Sequence, residues 1–150
     1  MKRFTTGLII AGSAALFSIS CKKSDDEKQK TNAPAVSAGF KCKIDGADFT
    51  ADSSRLNFYN GGFAVIAFKD GSTAFEFDLE SPAVRTHNVP TGSEFATYVT
   101  SNGYFVSSSG EVVVNSMDSA AGKISGTFSF SGISTARETK NITDGTFSIQ

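Results

Sequence analysis

The sequence predicts an all-β fold, an antiparallel β-sandwich or a small β-barrel, in a single domain spanning residues 38–150. Three observations carry that prediction. Apolar residues recur at every second position through most of the region, and turn-forming dipeptides separate these runs at roughly 10-residue spacing. No stripe of helical period occurs after the N-terminal segment. Period-two alternation sends successive side chains to opposite faces of a strand, so an apolar row marks a buried face and a polar row a wet one.

In chain order, Phe40, Cys42 and Ile44 alternate with Lys41 and Lys43. The run Phe63-Ala64-Val65-Ile66-Ala67-Phe68 is apolar on both faces, which suits a central strand or one covered on its outer side. Phe75, Phe77 and Leu79 then alternate with Glu76, Asp78 and Glu80. Val112-Val113-Val114 is a shorter apolar run. Ile124, Phe128 and Phe130 alternate with Ser125, Thr127, Ser129 and Ser131, and Phe147 and Ile149 with Thr146 and Ser148.

The joints are Asp-Gly and Asn-Gly pairs. Lys69-Asp70-Gly71-Ser72 links two strong strand segments, and Asp-Gly suits a type I′ hairpin because both central residues need φ > 0. Ile44-Asp45-Gly46-Ala47, Asn60-Gly61-Gly62, Ser101-Asn102-Gly103 and Asp144-Gly145 are read as further breaks. Cys42 shares a face with Phe40 and Ile44 and is expected to be a small buried hydrophobe without a disulfide partner. Of the 14 Phe, only Phe4 and Phe17 precede the domain, so the remainder can fill a core without a cross-link.

Residues 1–20 have the layout of an export signal. Lys2 and Arg3 give a positive start, Gly7 to Phe17 an apolar stretch too short to be a membrane span, and Ser18-Ile19-Ser20 a small-residue exit. The segment ending in Cys21 resembles a lipobox, the pattern at which bacterial lipoproteins are acylated on cysteine, with palmitate among the chains, and cleaved just before it. Cys21 and Ser20 match that pattern, whereas Ser18 stands where Leu is more usual. Residues 21–37 hold Lys22, Lys23, Asp25, Asp26, Glu27, Lys28 and Lys30 and almost nothing apolar, the composition of a solvated tether. Asp25-Asp26-Glu27 also resembles the signal that sends lipoproteins of Bacteroidota to the outer face of the outer membrane.

Composition narrows the function. The formal charge is −1, and loss of Lys2 and Arg3 with the leader takes the basic count from 14 to 12 against 15 acidic residues, a net of −3. That is no footprint for nucleic acid. With three Tyr and no Trp, the chain is short of the rings on which sugars stack.

No catalytic residue, metal ligand set or cofactor site is expected. His87 is the only histidine and is read as a solvated loop side chain; no Gly-x-Ser-x-Gly elbow singles out a serine to work with it. Glu76, Asp78 and Glu80 share one face of one strand, about 6 to 7 Å apart. That row is read as a charged solvent face rather than a calcium site. Asp45-Gly46-Ala47-Asp48 lacks the alternating oxygen ligands of a calcium loop and is read as a turn. Asn141-Ile142-Thr143 fits the N-glycosylation pattern, which is uninformative in a bacterial lipoprotein. Asp118-Ser119-Ala120 resembles the O-glycosylation motif of exported Bacteroidota proteins, which places a glycan on Ser119.

Phe40-Lys41-Cys42-Lys43-Ile44-Asp45-Gly46, Ile124-Ser125-Gly126-Thr127-Phe128-Ser129-Phe130 and Asp144-Gly145-Thr146-Phe147 resemble a family of small uncharacterised lipoproteins from Bacteroidota. The resemblance implies a lipid-anchored β domain and brings no site residues with it. The expected function is a non-catalytic binding or structural module, anchored in the outer membrane through Cys21 and facing the cell surface or the periplasm. Its partner would be an envelope protein or a glycan. A lipocalin-like carrier of an apolar ligand is the alternative, since Phe-rich strands can line a cavity as well as fill a core.

Overall fold

Turn chemistry sets the first strands of the computed structural model, which describes residues 39–150. The leader, Cys21 and the tether expected over residues 21–37 lie outside the described residues. β1 (Gly39–Ile44) and β2 (Ala47–Thr50) join through Asp45 and Gly46, with φ of 50° and 86°. β3 (Ser53–Tyr59) leads into β4 (Gly62–Lys69), and β4 joins β5 (Ser72–Glu80) through Asp70 and Gly71, at 51° and 73°. Positive φ at both central residues makes these two loops type I′, whose twist matches that of the flanking strands.

The chain continues through β6 (Thr86–Asn88), β7 (Phe95–Thr100), β8 (Gly103–Asp118), β9 (Lys123–Ile133) and β10 (Thr139–Ile149). All pairings are antiparallel, in the order β2-β1-β10-β9-β8-β7-β5-β4-β3. The fold is therefore all-β, one continuous sheet curled into a half-barrel rather than two stacked sheets. β8 is long enough to serve two neighbours on one edge: Gly103–Val106 pairs with β7, and Glu111–Val113 with β6. The two ends of the sheet meet at a corner. Ala51 N–H donates to the Phe40 carbonyl at 2.9 Å, while the next amide, Asp52 N–H, donates to the Phe68 carbonyl at 2.8 Å. Successive amides of an extended chain point to opposite sides, so this corner touches β1 with one edge and β4 with the other.

Asp144-Gly145 is a correction to the sequence reading. It lies inside β10 and ends no strand. Lys41 faces Thr146 and Lys43 faces Thr143, so β10 carries one extra residue there, a bulge with Asp144 at φ 53°. The position of Gly145 explains why the dipeptide is needed without a turn. A Cβ there would sit 2.5 Å from the Phe128 ring, so only glycine lets that ring lie against the backbone.

The interior is filled by Phe40, Phe75, Phe77, Phe128, Phe130 and Phe147, all at most 3% exposed. Their neighbouring centroids lie 4.8 to 6.4 Å apart in tilted or edge-on pairs, the geometry that ring quadrupoles favour. Each contributes about 1.5–3 kcal/mol by burial. β4 fits its two-sided apolar pattern although it is only one strand in from the edge. Ala64 and Ile66 on its outer face are 5% and 7% exposed. Ile66 lies between Arg55 and Glu76 in the register, and the Arg55 guanidinium rests 5.0 Å from the Phe68 ring centre. Long polar side chains shield this face with their stems.

Candidate functional site

The polar groups that the fold gathers lie at opposite ends of β4, β5 and β7. One end is plugged. His87, read from sequence as a solvated loop residue, is 0% exposed on β6, which corrects that expectation. Its Nδ1–H donates to Glu94 Oε1 at 2.6 Å, and its ring stands edge-on to Phe63 at 5.8 Å. The same oxygen accepts from Arg85 at 2.6 Å and from the Glu80 amide at 3.1 Å. Glu94 is itself fixed by paired backbone bonds with Thr91, which directly follows the cis Val89–Pro90 bond. His87 Nε2 is buried without a hydrogen-bond partner among the described residues. Sequence reading missed this because a buried β6 needs β8 beside it, and a three-residue strand carries almost no periodic signal.

The other end is open. A cleft of about 420 Å3 lies between the β7–β8 turn and the β4–β5 turn, lined by Phe49, Lys69, Thr73, Tyr98 and Ser101 among others. A second, of about 310 Å3, lies between the β7–β8 turn and the β9–β10 loop, lined by Asn102, Tyr104, Phe105, Ser134, Glu138 and Lys140 among others. Thr100 lines both. Beneath them runs a continuous aromatic floor. Phe49 stands edge-on to Phe75 at 5.2 Å, Tyr98 stacks on Phe75 at 4.9 Å, and Phe105 stacks on Tyr98 at 6.0 Å.

Ion pairs brace the rim of this mouth. Asp45 accepts from the Asn141 amide at 2.9 Å and from Lys140 Nζ at 2.7 Å, tying the β1–β2 turn to β10. The Asn141 amide, with Lys140 next, holds the Asp45 carboxyl below its usual range. Asp52 does the same for the β4–β5 turn through Lys69 Nζ at 2.7 Å and the Asp70 amide at 2.8 Å, and its carboxyl is likewise lowered. Burial raises the Tyr98 phenol, against a smaller opposing pull from the Lys140 charge. Pairing with Asp45 raises Lys140.

The other residues singled out by sequence lie elsewhere. Ser119 is exposed in the β8–β9 turn, where the neighbouring Asp118 carboxylate accepts from the Ala121 amide at 3.0 Å. Cys42 is 5% exposed, and burial pushes its thiol up to about 12, so it is a core residue as expected. Glu76, Asp78 and Glu80 do share the outer face of β5. Burial raises the Glu76 and Asp78 carboxyls, with Asp78 adding to the effect at Glu76. Among the described residues no three His, Cys, Asp or Glu side chains are grouped to hold a metal ion. Asn141 accepts from Ser131 Oγ at 2.9 Å on the surface of β10.

The mouth residues were not singled out by sequence. One signal was there: two of the three Tyr, Tyr98 and Tyr104, flank the Ser101-Asn102-Gly103 turn. Amphipathic rings on both sides of a tight turn end up at a barrel rim. A family model for a domain of unknown function, DUF6252, matches residues 36–149. No curated protein and no solved structure matches the chain.

Proposed function

Because the chain belongs to the DUF6252 family, whose function is unknown, its role has to be read from its own surface, and we propose that it is a non-catalytic binding module that takes its ligand at the open mouth. The two clefts over the Tyr98 and Phe105 rings carry this reading, because concave, ring-floored sites with a few polar groups are where ligands bind. The lipobox-like segment supports the address, a membrane surface reached through a lipid on Cys21 and the tether that follows. In the outer membrane, its partners would be envelope proteins or glycans. The packed Phe interior favours a module that binds at its rim over a lipocalin-like carrier that encloses an apolar ligand, since the central rings leave at most 3% of their surface open.

Hydrogen exchange on the purified domain tests the site. Envelope polysaccharide, a lipid extract and envelope-protein peptides are added in turn. One of them is expected to slow exchange in residues 69–73, 98–103 and 134–140, the walls of the two clefts. Slowing in none of these segments with any fraction removes the reading. The anchor is tested separately. The Cys21 peptide from native membranes should carry an acyl mass, and Cys21→Ala should release the protein to the soluble fraction.

A further inference from the structure

The cleft between the β7–β8 turn and the β9–β10 loop has the chemistry of one ligand class, and we infer that it is a saccharide site for one or two neutral sugar rings. This rests on the reading of the mouth as the binding surface. Its volume of about 310 Å3 lies at the small end of ligand pockets, which run from about 300 to 1,000 Å3, so a long chain could place only a ring or two inside.

Sugars present an apolar C–H face and a ring of hydroxyls that both donate and accept. The cleft answers both. Tyr104, 52% exposed, stands at the outer lip, on the opposite face of β8 from Phe105, which closes the floor. Around them stand the Asn102 amide, the Glu138 carboxylate, the Lys140 ammonium and the Ser134 and Thr135 hydroxyls, a mixture of donors and acceptors. Lys140 has three N–H donors and gives one to Asp45, so it retains donors for a ligand hydroxyl.

Charge argues against an anionic ligand. The Lys140 charge is matched by Asp45 at 2.7 Å, and Glu138 adds a negative group to the same wall. A phosphate or an acidic sugar would meet no unmatched cation there. A purely apolar ligand would strip water from the amide, carboxylate and ammonium without replacing their hydrogen bonds.

Both walls are also set before any ligand arrives. The β9–β10 loop closes on itself through Ser134 N–H to the Glu138 carbonyl at 2.9 Å, Arg137 N–H to the Ser134 carbonyl at 2.9 Å, and Glu138 N–H to Ser134 Oγ at 3.1 Å. In the facing turn Thr100 Oγ1 donates to the Gly103 carbonyl at 3.0 Å, and Asn102 N–H donates to Thr100 Oγ1 at 3.3 Å. Preorganised walls lower the entropy cost of binding a small, weakly held ligand. The shortage of Tyr and Trp in the sequence loses its force here, because the fold brings two of the three Tyr to one mouth.

The test is a printed panel of neutral and acidic glycans, followed by titration of the strongest neutral one against the full domain. With no Trp in the chain, tyrosine emission reads the mouth directly once Tyr59, the one Tyr away from it, is replaced by Phe. A neutral glycan should bind, with affinity reduced about tenfold or more by Tyr104→Ala and by Asn102→Ala and held within about twofold by Tyr104→Phe. Both positions are exposed, so the unfolding midpoint should not move. Binding of acidic glycans alone, or neutral binding that ignores both alanine variants, overturns the inference. If no glycan binds while peptide or lipid fractions slow exchange at the mouth, the saccharide is wrong and the binding module stands. If no fraction slows exchange there, both fail.

Discussion

The two ends of the half-barrel use polar residues in opposite ways. At the plugged end Glu94 is 5% exposed and a single oxygen accepts from His87, Arg85 and the Glu80 amide, so its hydrogen bonding is turned inward. At the mouth Asn102, Glu138 and Lys140 line a cleft, and their remaining donors and acceptors face water or a ligand. Buried polar groups depend on partners within the protein, because leaving one unpaired costs more than a hydrogen bond contributes, and at the plugged end His87 Nε2 alone lacks one among the described residues. Exposed groups have no such obligation and are free to bind. The comparison separates a cluster that holds the structure from one that is available for recognition, although both combine acids, bases and aromatic rings.

The plugged end is most sensitive at Glu94. Glu94→Ala leaves the His87 ring and the Arg85 guanidinium without their shared acceptor, and should cost about 3 kcal/mol of stability in a urea titration. Ligand affinity at the far mouth should be unchanged in conditions where the variant is folded. A loss below about 1 kcal/mol would mean that the plugged end is not held by this carboxylate.

Tyr98→Ala probes the mouth from beneath. Tyr98 is half-buried between Phe75 and Phe105, so its removal should cost about 2 kcal/mol, less than for a fully buried ring, and should weaken ligand binding as well. A variant that loses stability and keeps full affinity would move the site away from the aromatic floor.

The smallest effect is expected at Asp45, on the rim. Its carboxyl is lowered in the folded protein, so its contribution is present above the unfolded value and fades as pH falls through the lower folded one. Asp45→Asn should therefore lower the melting temperature slightly at pH 7, and the difference from wild type should close at a pH below the usual carboxylate range. Asn tolerates the positive φ of 50° at this turn, so the backbone is not the variable. A difference that persists at low pH would point to turn geometry instead of charge.

Several particulars were legible before the fold. The alternation at Phe75, Phe77 and Leu79 places β5 correctly, and Asp70-Gly71 forms the type I′ turn that its residues require. Cys42 is buried on the face that its neighbours implied. His87 was not legible, since its surroundings, Phe63, Val112 and Glu94, come from three separate strands or turns. Asp144-Gly145 shows the same limit in another form. The dipeptide demands a positive φ, and a hairpin and a bulge both satisfy it. The pairing of β10 with β1 and β9 on either side selects the bulge, and the Phe128 ring on β9 then requires glycine at position 145.

Properties that depend on near neighbours in the chain are therefore written in the residues themselves. Strand faces follow from a period of two, tight turns from backbone angles that Asp-Gly accepts, and an all-β class from the two together. Which end of the half-barrel is plugged and which is open follows from the curl of the sheet, which sets Glu94 against His87 at one end and the β7–β8 turn between two clefts at the other. Burial and exposure arise between segments distant in sequence, and no local pattern encodes which of two similar polar clusters will be covered.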